Sequence, residues 1–137
     1  MQNFYGRSIR GVAATALLGL SVAGVGCVSA EDQGVVREIS QQALLSNPPE
    51  DVLILDVRSL GEYTAGHVPN AVNIPHDELA SRLSDLDSET DRPIVVYCKS
   101  GHRAGMAASL LQDAGYEDLH HLTGDMNGWM AKGLATE

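Results

Sequence analysis

The stretch PIVVYCKSGHRAGMAASLLQDAG, Pro93 to Gly115, decides the fold. Its first five residues are apolar without alternation, the pattern of a strand buried on both faces. From Arg103 onward the period changes: Met106, Leu110 and Leu111 share one helical face, and Gly115 supplies a residue that ends a helix without a Cβ penalty. Between the two lie Cys98, Lys99, Ser100, Gly101 and His102. The stretch is a strand, a short polar loop and a helix.

The flanking sequence repeats this alternation. VVREIS (Val35 to Ser40) reads as a short strand, and Ser40 can cap a helix QQALLSN that stops at Pro48 and Pro49. DVLILDV (Asp51 to Val57) is another continuous apolar run bounded by turn residues. Ser59 and Glu62 have capping-box spacing for a short helix, and AVNIP (Ala71 to Pro75) is a third strand. HDELASRLSDL carries Leu79, Leu83 and Leu86 at helical spacing, LHHL (Leu119 to Leu122) is a fifth strand, and MNGWMAKG a last short helix. Strand and helix alternate throughout, so the fold class is α/β, with a central, mostly parallel five-stranded sheet flanked by helices.

At 137 residues, 44% hydrophobic and 20% charged, the chain is sized for one core and falls outside the disordered and fibrous classes. The first thirty residues differ from the rest. Arg7 and Arg10 give a positive start, GVAATALLGLSVAGVG (Gly11 to Gly26) is uncharged and mostly apolar, and Val28 to Ala30 has the small residues of a peptidase site. The apolar run is short against the roughly 20 residues of a membrane span. Residues 1–30 are therefore expected to be an export signal and residues 31–137 the folded domain, placed in the periplasm or cell envelope. Two processing sites are open. Cleavage after Ala30 is the simpler, while VGC ending at Cys27 is similar to a lipobox, which makes Cys27 a lipidation candidate and the protein a candidate lipoprotein.

Cysteine usage then becomes informative. Of two cysteines, the exported domain keeps one, Cys98, so no structural disulfide is expected and the free thiol stands out as reactive. Removing two arginines from a chain of 9 basic and 18 acidic residues leaves 7 against 18, a change from -9 to -11. That surface repels nucleic acid and anionic lipid, and no membrane span is expected in the mature protein. An anion that binds must meet a local exception to the field.

The loop after Cys98 is such an exception. In open α/β sheets ligands bind outside the carboxyl ends of the strands. If the loop curls, the amides of Lys99, Ser100, Gly101, His102 and Arg103 turn toward one point, with the positive end of the following helix behind them. Lys99 and Arg103 add charge, and the combination favours a nucleophilic thiolate. A buried core cysteine is the bland alternative, but it has no use for four polar or basic residues in the next five positions.

Three segments resemble the single-domain rhodanese-like sulfurtransferases. LILDVRSLGEYTAGHVPNAVNIP is similar to that family's N-terminal signature, CKSGHRA to its active-site loop, and GYEDLHHLTGDMNGW to its C-terminal signature. The resemblance implies a three-layer rhodanese-like domain without cofactor. It also implies a mechanism in which Cys98 takes sulfane sulfur from a small anionic donor such as thiosulfate and passes it, as a persulfide, to cyanide or a thiol. Lys99 and Arg103 would attract the donor, or Arg103 would hold the loop through its carbonyls. Asp56 and Arg58 end a neighbouring strand at the same edge, Asp56 in a structural bond and Arg58 in either role. Glu62, His67 and Pro69 are architectural on this reading, and His102 occupies a variable position that tunes donor or acceptor choice. Asp125 stands where the family commonly has glycine, a departure expected to alter a turn without touching the chemistry.

Two rivals remain at this stage. A cysteine phosphatase also uses a cysteine and an arginine on a loop of inward amides, but with five residues between them, where Cys98 and Arg103 have four. A rhodanese-shaped module that senses or binds sulfur species without catalysis is the other, although such relatives generally lack the cysteine. No metal site is expected: His67, His76 and His102 lie in separate segments, and adjacent His120 and His121 point to opposite faces of a strand. Met106, Met126, Trp129 and Met130 read as core.

Overall fold

A computed structural model describes residues 35–86 and 90–137. Residues 1–30, expected to be an export signal and including Cys27, lie outside the described residues. Five strands form one sheet in the order β1-β5-β4-β2-β3, with every pairing parallel: β1 (Arg37–Ile39), β2 (Leu53–Asp56), β3 (Val72–Asn73), β4 (Ile94–Tyr97) and β5 (Leu119–Leu122). The helices are α1 (Gln41–Ser46), α2 (Leu60–Ala65), α3 (His102–Asp113) and α4 (Asp125–Ala131).

Strand β4 shows why the domain has three layers. All four of its side chains are buried, and they alternate between two cores. Ile94 and Val96 join Leu55, Leu79, Ala104, Ala107 and Leu111 beneath α3, while Val95 and Tyr97 join Leu44, Leu122, Met126 and Trp129 beneath α1 and α4. A strand that must satisfy two apolar layers has no polar position to alternate, which is the pattern seen in PIVVY.

Local signals set the helix ends. The Ser40 hydroxyl accepts from the Ala43 amide at 3.1 Å, and Ser59 and Glu62 close a complete capping box on α2. Helix α3 ends in a Schellman motif, with the Gly115 amide on Gln112 O, the Tyr116 amide on Leu111 O, and Gly115 at φ 94°.

Three expectations are corrected. The segment around Leu79, Leu83 and Leu86 is two 3₁₀ turns, Leu79–Ser81 and Leu83–Asp85, joined at Arg82. Its bonds run from Ser81, Arg82, Asp85 and Leu86 to the carbonyl three residues back, and that tighter winding still buries Leu79 and Leu86. The face of α3 against the sheet is Ala104, Ala107, Ala108 and Leu111, because alanines let the helix approach closely; Met106 is exposed. Met130 is exposed as well, so of the four proposed core residues only Met126 and Trp129 are buried.

Candidate active site

The sheet order puts β4 between β5 and β2, so the carboxyl ends of these three strands converge. Tyr97 pairs with Asp56 and Val96 with His121, and Cys98 leaves the sheet between them. Cys98 is 1% exposed and packs in the core beneath α3. Burial alone would suit an inert core cysteine. The loop distinguishes it: the Gly101 amide donates to Cys98 Sγ at 3.0 Å. Gly101 holds φ 108° and precedes the first turn of α3, so the turn that aims this N–H at the sulfur uses a backbone angle only glycine takes freely. A Cβ there would also lie 3.1 Å from Asp125 Oδ2.

Arg103 has a different partner from the one its sequence position suggested. Its guanidinium grips Glu62 through two bonds, at 2.7 and 3.0 Å, rather than the loop carbonyls. The pair draws Glu62 down to about 2, mainly through the Arg103 hydrogen bond, and Ser59 assists from the capping box. The bond to Glu62 also raises Arg103, with the nearby Cys98 side chain adding to it. Arg103 thus ties the first turn of α3 to α2 while its charge stays close to the sulfur. Lys99, Ser100 and His102 are exposed around the same loop.

Asp56 and Arg58 form the buried floor beside it. The Asp56 carboxylate accepts from the Arg58 amide, Nε and Nη2 and from the Tyr97 hydroxyl at 2.7 Å, and Arg58 Nη2 also reaches Gly66 O at 2.8 Å. Among the described residues no fully buried side-chain nitrogen or oxygen lacks a partner, as burial demands. Burial pulls the Arg58 guanidinium down but Asp56 more than restores it, and burial with the bond to Asp56 pushes the Tyr97 phenol up. A cavity of about 240 Å³ opens beside this floor, lined in part by Arg58, Glu62, Lys99, Met126 and Met130, with Lys99 the one residue of the Cys98 loop in its wall.

A further correction concerns Asp125, which was expected to leave the chemistry untouched. Its Oδ1 accepts the Cys98 amide at 2.9 Å, so it touches the backbone of the candidate nucleophile directly. Its Oδ2 meets His121 Nε2 at 3.0 Å, and His121 Nδ1 meets Glu38 Oε1 at 3.0 Å. The Met126 and Asn127 amides cap the Cys98 and Lys99 carbonyls. Sequence reasoning passed over Glu38 and Tyr97, read Asp125 as a turn residue only, and considered His121 only as a metal ligand. One signal was available: Asp125 stands where the family commonly has glycine, and the structure holds it at φ 52°, a left-handed angle uncommon for a residue with a side chain.

Comparison with known proteins places this arrangement. The model of the Rhodanese-like domain matches residues 40–132. A protein named Sulfurtransferase from Allochromatium vinosum is 33% identical over 102 residues, 73% of this chain and 94% of the relative. Thiosulfate sulfurtransferase GlpE of Pseudoalteromonas translucida is 34% identical over 82 residues, 60% of this chain and 76% of the relative. Among solved structures, a rhodanese-related protein from Thermoplasma volcanium superposes with a TM-score of 0.65 at 28% identity, covering 74% of this chain and 97% of that one.

Proposed function

The chain belongs to the rhodanese-like domain family, and on that premise we propose that it is a sulfurtransferase that carries sulfane sulfur on Cys98. The Gly101 N–H on Cys98 Sγ, at the junction of β4 and α3, carries the reading, because a donor aimed at the sulfur steadies negative charge there before and after sulfur is gained.

The reaction is written as two displacements. The Cys98 thiolate attacks the outer sulfur of thiosulfate; a new S–S bond forms, the donor's S–S bond breaks, and sulfite leaves with the electron pair. Cyanide or a thiolate then attacks the outer sulfur of the persulfide, and the Cys98 thiolate departs with the electrons of the broken bond. No outside oxidant or reductant is consumed. Lys99, exposed and in the cavity wall, offsets the anionic charge that a strongly acidic surface would repel, while the charge of Arg103 is balanced by Glu62. The cavity beside Lys99 has room for a small anion or the end of a thiol acceptor. The test is formation of thiocyanate from thiosulfate and cyanide by the purified protein. Turnover that requires both reagents is expected, and its absence with several sulfane donors would overturn the reading.

We also propose that residues 1–30 direct export, so that sulfur transfer takes place in the periplasm or envelope. The positive start, apolar run and small residues before Glu31 support this.

A further inference from the structure

Three residues that the proposed transfer does not use directly form a chain of contacts ending at the backbone of the nucleophile. Glu38 on β1, His121 on β5, Asp125 at the start of α4 and the Cys98 amide are linked by distances of 3.0, 3.0 and 2.9 Å. Asp125 is 2% exposed. Both ring nitrogens of His121 face carboxylates, and a neutral imidazole has only one N–H to give. The geometry is satisfied in full only by the imidazolium. We propose that His121 and Asp125 act as a positioning pair whose charge state sets the electrostatic setting of Cys98, so that protonated His121 favours sulfur uptake from an anionic donor.

The physical argument is one of compensation. With His121 charged, the negative charge of Asp125 is offset and its Oδ1 still holds the Cys98 amide. When His121 loses its proton, one of its two bonds to carboxylate is lost and the carboxylate that holds the Cys98 amide loses its counter-charge. An incoming dianion then meets more repulsion. The groups facing His121 are Glu38 from β1, Asp125 from α4 and, through Asp125, the Cys98 loop, where Gly101 leaves only van der Waals room to the imidazole. The Thr123 hydroxyl holds Glu38 from the other side at 3.0 Å. Burial lowers His121, but bonds to Glu38 and Asp125 raise it overall, so its titration falls above the ordinary histidine range. Glu38 is lowered despite its desolvation, by His121 and Thr123, and stays ionised through that range.

The inference rests on the sulfurtransferase reading, and two measurements separate their fates. In Cys98→Ser protein, which removes the thiol's own titration, the backbone amide at position 98 should shift in NMR with the same midpoint as the His121 ring, and Asp125→Asn should abolish that shift. In protein with Cys98 intact, the ratio of single-turnover loading rates with thiosulfate, natural over His121→Gln, should fall by about fivefold as pH rises from about 6 to about 9. A histidine with only a packing role would give a ratio independent of pH. An amide that ignores His121, or a constant ratio, overturns the inference. If the amide follows His121 but the natural protein takes up no sulfur, the coupling stands and the transfer reading falls.

Discussion

At the residue scale the proposed transfer rests on the Cys98 thiol, which the Gly101 amide and the Asp125 carboxylate hold through its sulfur and its backbone. Cys98→Ser should fold, since an alcohol fills nearly the same volume, yet lose at least about a thousandfold in thiocyanate formation because an alcohol cannot carry the persulfide. Steady-state assay beside a circular dichroism spectrum checks both halves. Glu62 has a different signature. Its folded pKa lies below the unfolded one, so the stability it contributes is present above the unfolded value and is lost as pH falls through the range from about 4.5 to about 2. Glu62→Gln should flatten the acid limb of the stability curve across that range, measured by urea unfolding at several pH values, and should slow transfer severalfold because Arg103 loses its anchor. Unchanged acid stability would contradict the pairing. The position of Cys98 between β4 and α3 was legible because strand, loop and helix are contiguous in sequence. The Glu62 link spans 41 residues and the Asp125 contact 27, and no local pattern reports which distant carboxylate a folded sheet edge will bring home.

Elements set where those residues meet. Strands β2 and β4 were legible as unbroken apolar runs, and α2 from its capping box, because each signal lies within a few residues. The 3₁₀ turns were not, since leucines at 79, 83 and 86 fit an α-helix as well as two tighter turns broken at Arg82. The same ambiguity hid the true face of α3, where close approach selected alanines over larger side chains. The Asp56 network ties three elements together, with Arg58 after β2, Tyr97 in β4 and the carbonyl of Gly66 closing α2. Asp56→Ala would leave the buried Arg58 guanidinium without its counter-charge and should cost about 3 to 5 kcal/mol in urea unfolding. A loss under 1 kcal/mol would show that the network is dispensable. The loop between β4 and α3 is also tested by length. One glycine inserted after Gly101 should pull the amide away from Cys98 Sγ and weaken transfer, and paired kinetics on thiosulfate and an aryl phosphate would reveal any phosphatase character of the natural loop, of which none is expected.

For the whole molecule, alternation of strand and helix was enough to define an α/β domain, and the convergence of three strand ends turned separate motifs into one site. The acidic surface makes the basic loop a local feature, which suits a small anionic donor rather than a polyanion. Export is tested on envelope fractions by mass analysis of the N-terminus: Glu31 at the end marks ordinary cleavage, a lipidated Cys27 marks lipoprotein processing, and an intact Met1 contradicts both. The central claim, that sulfur travels on Cys98, is tested most directly by intact mass. Protein incubated with thiosulfate and desalted should gain the mass of one sulfur atom, located at Cys98 by peptide fragmentation, and should lose it again on addition of cyanide. The account predicts that gain in the natural protein and none in Cys98→Ser; a natural protein that stays unmodified, or a serine variant that gains the same mass, would contradict it.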